Sequence, residues 1–267
     1  MGLQNQTKQF SDKQIGKYPY SIKKFILSHQ TLLIYLVVVF NIPGLPGKMV
    51  NAQVFKPQWS AGIHSGLLVF YGDIKTNEFA PAIKGFNELR AGFGLQTTYS
   101  LNPMLSIRGS LTNGKLAGAK PSTDEYFIAN ILDYSVQALI NLNGLFFYDY
   151  DYTPLDVYAI IGYGFVDFRT IKRKLSDDSF VRAFGYNPDG SKSTVITREM
   201  SIPVGVIVHS NLEQILNSNN YFLSQTDITL EFVLHNVNTN KLDADLTLRE
   251  VRDKYSYFAF GLIYYLN

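Results

Sequence analysis

Few residues of this chain could take part in catalysis. The chain has no cysteine and four histidines, and His64, His209 and His235 are the three that follow the N-terminal 52 residues. A histidine activates a serine only within hydrogen-bond reach and with a third group that orients its ring, and none of the three lies in such a motif. No spacing is typical of a metal site or of a glycine-rich phosphate loop. We therefore predict hydrogen-bonding roles for the histidines, no catalytic or metal residue, and no cofactor.

Isolated charges form the next group of candidates. Arg108, Asp227 and Glu231 each stand among alternating apolar and small polar residues. A buried charge needs a partner, so these three require one if they point into the interior. The basic run Lys172-Arg173-Lys174 lies instead in the most polar part of the chain. Two interpretations stay open for it, phosphate binding by point charges or a plain solvated loop.

The elements that carry these residues are β-strands. Residues 89–101 and 105–112 alternate between large apolar and small polar side chains with a period of two, which indicates strands and not helices. Asn102-Pro103 between them predicts a tight turn, because proline has no N–H to donate to a ladder. The pattern recurs along the chain. The predicted strands cover roughly residues 59–70, 89–101, 105–112, 131–142, 157–168, 199–209, 225–235 and 255–266.

The connections between these eight strands alternate in length. Four are long and polar, near residues 71–88, 114–130, 169–198 and 236–254, whereas the three between them are shorter. Charged residues make up 17% of the chain and aromatic residues 14%, at a mean hydropathy of −0.01. Soluble domains usually carry about 25% charged residues. An even strand number, short turns on one side and long loops on the other are typical of outer-membrane β-barrels.

A secreted soluble barrel that binds an apolar ligand is the alternative. Its outward face would normally carry many Lys and Glu residues, whereas the polar face here consists of Gly, Ser and Thr with isolated charges. Trp59, Tyr71, Tyr99 and Tyr264 also fit aromatic girdles at two membrane interfaces. The predicted rims hold Trp59, Tyr99, Tyr221, Phe222, Tyr264 and Tyr265 on one side and Phe70, Tyr71, Tyr126, Phe127 and Phe168 on the other.

We therefore predict an all-β, eight-stranded antiparallel transmembrane barrel in the outer membrane of a Gram-negative bacterium. A ring of eight strands is filled by its own side chains, so we expect a plugged lumen. Strands three and seven face each other across such a ring, which predicts that Arg108 pairs with Glu231, with Asp227 in the same lumen network. A salt bridge that closes the plug is the favoured interpretation, and a gated conduit is the alternative. For the basic run, a plain solvated loop is the favoured interpretation, and the alternative is that Lys172, Arg173 and Lys174 meet lipopolysaccharide phosphates.

Residues 1–52 have the features of a signal peptide that is removed, which leaves a barrel domain of residues 53–267. Lys23-Lys24 precede an apolar stretch at residues 32–40, and Val50-Asn51-Ala52 offers a cleavage site. A short transmembrane anchor is the alternative. This segment holds six of the 24 Lys and Arg residues and one of the 22 Asp and Glu residues, so 18 basic and 21 acidic residues remain. A net charge of about −3 gives no reason to expect nucleic acid as a partner.

Several segments resemble the OmpA-like superfamily of small outer-membrane barrels. They are Trp59-Ser60-Ala61-Gly62, Tyr71-Gly72-Asp73-Ile74, the turn at residues 101–109 and the closing stretch at residues 255–265. Their order covers nearly all of residues 58–267. Within this group, Tyr71-Gly72-Asp73 is similar to PorG-like barrels of the type IX secretion apparatus. The chain ends in Leu266-Asn267 and lacks the terminal aromatic residue that is usual for insertion.

The resemblance implies a structural or scaffold role in an envelope assembly, with periplasmic or outer-membrane lipoproteins as partners. A surface adhesion or receptor barrel that acts through its long external loops is the alternative. Some small barrels modify lipid A with a His, a Ser and an acid, which leaves a third class of function. We predict that this chain is not an enzyme.

Overall fold

The structure is a computed structural model. It describes residues 58–72, 88–143, 155–187, 191–218, 220–244 and 252–266. The predicted signal peptide lies outside these ranges, so it stays a prediction, as does the domain boundary after residue 52.

Nine antiparallel strands form one sheet, and eight of them close into a ring. The strands are β1 (Gln58–Tyr71), β2 (Arg90–Asn102), β3 (Leu105–Lys120), β4 (Glu125–Asn141), β5 (Asp156–Lys174), β6 (Phe180–Phe184), β7 (Thr197–Asn211), β8 (Thr226–Val237) and β9 (Lys254–Leu266). Each barrel strand pairs with its neighbours in sequence, and β9 pairs with β1 to close the ring. The predicted eight-stranded antiparallel barrel is confirmed, and β6 pairs only with β5.

Short elements complete the connections. A 3₁₀ turn (Pro121–Thr123) joins β3 to β4, and helices α1 (Leu212–Leu216) and α2 (Tyr221–Ser224) join β7 to β8. In the predicted turn between β2 and β3, the Asn102 side-chain oxygen accepts hydrogen bonds from the next two available N–H groups, at 2.9 and 2.8 Å. Among the described residues, no helix is long and apolar enough to cross a membrane.

Three adjacent strands extend well beyond the others at the end of the barrel that carries the long loops, which we call the outer end. β3, β4 and β5 contain 16, 17 and 19 residues, whereas β1, β2 and β9 contain 14, 13 and 13. The β3–β4 ladder runs without a register shift up to Lys120 and Glu125. The predicted loops at 114–130 and 169–198 are therefore wrong in part, because both begin as continuations of barrel strands. We call this extension of the sheet the outer wall. It consists of β3 from Lys115 onward, β4 up to Asn130, β5 from Arg169 onward, and the whole of β6.

The barrel buries its polar side chains and exposes its apolar ones. On the outside, Phe93 is 53% exposed and Val136 is 63% exposed, and most large residues around them on the barrel exterior are similar. Inside, fully or nearly fully buried groups include Arg108, Gln137, Asp133 and other polar side chains. An apolar exterior around a closed ring of strands is stable against lipid, because antiparallel ladders between neighbouring strands pair the backbone N–H and C=O groups within the sheet. The soluble alternative requires the opposite arrangement.

Candidate functional site

The lumen contains a charge network centred on Arg108. Its guanidinium is completely buried and donates from Nη1 to Glu231 Oε2 at 2.6 Å and to Gln96 Oε1 at 2.9 Å. Nε and Nη2 both donate to Gln137 Oε1, at 2.8 and 2.5 Å. The structure thus brings together Arg108 on β3 and Glu231 on β8, the seventh strand of the ring. Gln96 and Gln137, which sequence reasoning missed, lie on the strands that flank β3 and are inward by the same period of two.

Asp227 belongs to a second network, near the end of the barrel where the chain enters β1. Its carboxylate accepts hydrogen bonds from Tyr265 Oη at 2.7 Å and from Asn211 Nδ2 at 3.0 Å. His209 Nδ1 lies 3.7 Å from the same carboxylate. None of these contacts reaches Arg108. Asp227 was predicted in one network with Arg108 and Glu231, whereas the structure places these residues in two separate networks at different levels of the lumen.

A third polar cluster lies toward the outer end and contains a Ser, a His and an Asp. His235 Nδ1 lies 3.2 Å from Asp133 Oδ2 and 3.4 Å from Ser201 Oγ. Tyr255 donates to the same Asp133 oxygen at 2.6 Å, and its ring stacks on His235 with centroids 4.5 Å apart. In a nucleophilic triad the acid and the serine contact opposite ring nitrogens, whereas here both contact Nδ1. Ser201 is also completely buried, so this cluster has the geometry of a structural network.

The third histidine also serves the packing of the lumen. His64 Nδ1 lies 3.0 Å from Tyr257 Oη, which donates to the Gly92 carbonyl at 3.3 Å. Together, His64, His209 and His235 are all buried in the lumen. No group of His, Cys, Asp and Glu among the described residues could hold a metal ion. The absence of cofactor, metal and catalytic residues stays a prediction.

The outer half of the lumen is filled by apolar side chains. Phe70 and Phe127 pack edge to face with centroids 4.7 Å apart, and Phe168 is nearly fully buried in the same cluster. Their assignment to an exterior rim is therefore wrong, because their strand positions are inward. Leu242, in the connection after β8, is also completely buried there. Its carbonyl accepts from Thr170 Oγ1 at 2.8 Å, and its N–H donates to Asp253 Oδ2 at 2.9 Å. These bonds fix the loop in the mouth of the barrel.

Aromatic residues at the opposite rim lie on the exterior. Trp59 is 53% exposed and packs against Tyr99 with ring centroids 4.7 Å apart. Tyr264 stacks on Phe222 of α2 at 5.4 Å, so the short helices add to this rim. At the outer end, the Tyr71 hydroxyl lies 3.2 Å from Ser256 Oγ.

Two residues of the basic run on β5 form salt bridges with carboxylates of this chain. Lys172 is buried, with Nζ 2.9 Å from Glu125 Oε2. Arg173 Nη1 lies 2.8 Å from Asp178 Oδ2, and Lys174 is exposed at the end of the strand. Neither the solvated loop nor the phosphate contact applies to Lys172, whose charge is buried and neutralised within the outer wall. Phosphate contact by Arg173 and Lys174 stays a prediction.

The turn beside this run is acidic. Hydrogen bonds from the Ser179 hydroxyl and N–H hold the pKa of the exposed Asp177 carboxyl below its usual range, so this carboxylate keeps its charge at neutral pH. Asp178 accepts a hydrogen bond from Tyr126 Oη as well as from Arg173. The local field around the run is therefore mixed, which does not favour a phosphate site.

The ring of eight strands, the apolar exterior and the plugged polar lumen define a class. This chain is an outer-membrane β-barrel of the small, plugged kind. Gram-negative bacteria are enclosed by an outer membrane, so this class of protein agrees with the predicted localisation.

Comparisons with known proteins add a likeness in fold. No family model matches the chain, and no curated protein matches its sequence. It is similar to the solved structure of Ail, the attachment invasion locus protein of Yersinia pestis, at 13% identity and a TM-score of 0.42, covering 79% of this chain and 100% of that one. It is also similar to Neisserial surface protein A, at 10% identity and a TM-score of 0.39, covering 77% and 96%. A major outer membrane protein from Thermus thermophilus matches at 9% identity and a TM-score of 0.43, covering 79% and 100%. Likenesses at this level assign neither family nor function, and the barrel class rests on the chain's own strand order and exposure pattern.

Proposed function

We propose that this chain is a non-conducting structural component of an outer-membrane assembly. The observation that carries the proposal is the filling of the lumen at successive levels. The Asp227 network, the Arg108 network, the His235 cluster and the apolar plug with Leu242 follow one another from one end of the ring to the other. We infer that a lumen filled in this way conducts neither water nor ions, and we therefore assign the function to the outer surfaces of the barrel.

A scaffold role uses those surfaces to hold other envelope proteins. The exposed side of α1 and α2 carries Ile215, Leu216, Tyr221 and Phe222, all more than half exposed, at the end of the barrel where β1 begins and β9 ends. We propose periplasmic or outer-membrane lipoproteins as partners. The narrower proposal of a PorG-like barrel in type IX secretion is supported by the similarity of Tyr71-Gly72-Asp73 in sequence, and Asp73 lies outside the described residues.

Conductance measurements test the closed lumen directly. The purified protein is reconstituted in planar bilayers, and a general porin added afterwards shows that the bilayer detects channels. We expect no steady conductance before the porin is added. A steady, voltage-stable current from the protein alone would support the gated conduit and overturn the non-conducting role.

Extraction in mild detergent tests the scaffold. The tagged protein is isolated from its own outer membrane, and co-purifying proteins are identified by mass spectrometry. We expect one or more envelope proteins in fixed stoichiometry. Replacing Ile215 and Leu216 by Ser should release a partner held at the helices, whereas the same substitutions at Val195 and Ile196, on the opposite end, serve as the control. A protein that purifies alone from several mild detergents would contradict the scaffold.

A surface adhesion or receptor barrel is the second candidate, and one observation favours it. The connection from β5 to β7 exposes Phe180 at 57% and Val195 at 71%, which offers apolar contacts to a surface ligand. Replacing residues 175–196 by a short Gly-Ser turn leaves the ring strands intact and should abolish adhesion to host surfaces if this function is correct. Unchanged adhesion would reject it.

We propose that the chain is not an enzyme. The support is the shared contact of Ser201 and Asp133 on one nitrogen of His235. Lipid A from cells with and without the protein, compared by mass spectrometry, should be identical. Modified lipid A that reverts in a His235→Ala variant would overturn this proposal.

A further inference from the structure

A row of polar and cationic side chains crosses the exterior of the barrel at the base of the outer wall. Lys115 on β3 pairs in register with Asn130 on β4, which in turn pairs with Arg169 on β5. Directly opposed residues of an antiparallel sheet project from the same face. Lys115 and Asn130 are exposed and Arg169 is partly exposed, so all three side chains lie on the outside of the ring.

These residues line a groove of about 650 Å³. Its floor includes Ala91, Gly92 and Phe93 of β2, and Arg90 and Lys192 line it as well. Three of its cations, Lys115, Arg169 and Lys192, therefore converge from two strands and from the connection after β6.

Arg169 is held in place for a ligand by the connection that follows β6. Its Nη2 donates to the Ser193 carbonyl at 3.4 Å. The backbone of Gly185, at φ +73°, packs so closely that a Cβ there would lie 2.7 Å from Arg169 Cγ. The Nε–H of Arg169 is buried and has no acceptor in the described part of the chain. A buried donor without an acceptor is costly, and the partly exposed Arg169 side chain lines the groove with its charge.

The groove carries little competing negative charge. Within the described ranges, none of Lys115, Arg169 and Lys192 forms a salt bridge with a carboxylate. The nearest exterior acid along β5, Asp167, accepts two hydrogen bonds from Arg198, at 2.7 and 2.9 Å. Its charge is thereby engaged by an arginine that does not line the groove. Among the described residues, the lining of the groove therefore carries a net positive charge.

The level of the groove matches that of lipid headgroups. Along β3, Lys115 lies two outward-facing positions beyond Leu111, which is 41% exposed in the apolar band. That separation is about 13 Å along a strand, and less along the membrane normal because the strands tilt. Phe93 and Leu95 continue from the groove into the band, at 53% and 49% exposure. An anionic group in the groove would therefore have an apolar track directly beneath it.

We propose that this groove binds the phosphate of a phosphorylated glycolipid of the outer leaflet, with an acyl chain along Phe93 and Leu95. Lys115, Arg169 and Lys192 contact the phosphate, and Asn130 donates to a neighbouring oxygen. This assignment is separate from the scaffold function. It also moves lipopolysaccharide binding away from the run at residues 172–174, where Lys172 and Arg173 already form salt bridges with carboxylates of this chain.

Native mass spectrometry of the full-length protein in detergent tests the site. The probes are bisphosphorylated lipid A, the same lipid A without phosphates, and inorganic phosphate. The test variant combines Lys115→Gln, Arg169→Gln and Lys192→Gln. The control variant combines Lys120→Gln, Lys174→Gln and Arg182→Gln, which removes the same charge from the outer wall but outside the groove.

We expect the test variant to bind bisphosphorylated lipid A about 100-fold more weakly than the wild type, since each cation near an anionic headgroup contributes about fivefold. The affinity of the control variant for bisphosphorylated lipid A should fall by less than about tenfold. The wild type should bind lipid A without phosphates no more tightly than the test variant binds the bisphosphorylated form. Equal losses in both variants would reduce the site to general surface attraction and overturn the proposal. Displacement of the lipid by inorganic phosphate at similar concentration would also overturn it, in favour of a free-anion site.

Folding of each variant is checked by the heat-modifiable gel shift of small barrels. If the triple variant does not fold, Lys115→Gln alone carries the test, because its side chain is exposed and forms no described contact with the barrel. An unchanged lipid A affinity in that folded single variant would reject the role of the β3–β5 row.

Discussion

Replacing Glu231 by Gln would leave Arg108 buried beside a neutral amide. Gln has nearly the same shape as Glu, so the packing of the lumen stays the same while the counter-charge is lost. Arg108 is completely buried, and its bonds to Gln96 and Gln137 supply no negative charge. Removing one partner of a buried pair costs about 3–5 kcal/mol, because the remaining charge is uncompensated. We expect Glu231→Gln to lower the free energy of unfolding by an amount in this range.

The double variant Arg108→Met with Glu231→Leu separates this cost from the loss of a contact. Replacing both members of a buried pair by apolar residues of similar volume is often nearly neutral. The double variant should therefore be more stable than Glu231→Gln. A double-mutant cycle built from Arg108→Met, Glu231→Leu and the double variant should give a coupling of up to about 3 kcal/mol. As an exposed control, Asp167→Asn breaks the pair with Arg198 outside the ring and should change stability much less.

Urea unfolding in lipid vesicles measures these differences. The chain has a single tryptophan, Trp59, at the exterior rim, so its fluorescence reports transfer from lipid to water. The heat-modifiable gel shift gives an independent count of folded protein. If Glu231→Gln unfolds within about 0.5 kcal/mol of the wild type and the cycle gives no coupling, the lumen pair is not the stabilising contact that its geometry indicates.

Three further outcomes are expected. Gly162→Ala should destabilise the barrel by about 1–3 kcal/mol, because a Cβ there would lie 2.7 Å from Gln137 Cγ. The control Gly109→Ala should have a small effect, because the nearest atom to its Cβ would be 3.6 Å away. Equal costs for the two variants would contradict this reasoning. Tyr255→Phe should cost about 1–3 kcal/mol in the same urea assay, since its hydroxyl donates at 2.6 Å to a buried carboxylate; a neutral result would contradict that bond. Brominated lipids should quench Trp59 more strongly with bromine near the headgroup than near the chain end, and the reverse order would displace Trp59 from the interface.

The strands of the ring and their inward-facing residues could largely be predicted from the period of two in the sequence. The strand pattern on either side of Asn102-Pro103 set the inward positions on β2 and β3, and the opposition of strands in a ring of eight placed Arg108 opposite Glu231. Contacts of this kind need only the strand order and the face of each residue. The identity of the inward residues was therefore accessible from sequence wherever apolar and polar residues alternate.

Other features depend on information that alternation does not contain. The outer wall was missed because residues 114–120 are rich in Gly, Ala and Lys, which have weak strand preference; their pairing is stabilised by the neighbouring strand. Phe127 and Phe168 were assigned to the exterior because aromatic residues near strand ends suggest a girdle, although the period of two, continued along β4 from Asp133 and along β5 from Gly164, places both on the inward face. The contact between Asp133 and His235 joins β4 to β8 and depends on the stagger of the strands.

The unequal heights of the barrel strands give the molecule a direction within the plane of the membrane. β3, β4 and β5 rise on one side of the ring, whereas β1, β2 and β9 end lower on the other. Among the described residues, a neighbouring molecule that diffuses in the same leaflet meets the outer wall from one approach and the shorter strands β1, β2 and β9 from the opposite one. Encounters in the membrane are therefore not equivalent around the barrel axis. In an assembly built around this chain, the lengths of three strands would determine on which side of the barrel a partner can bind.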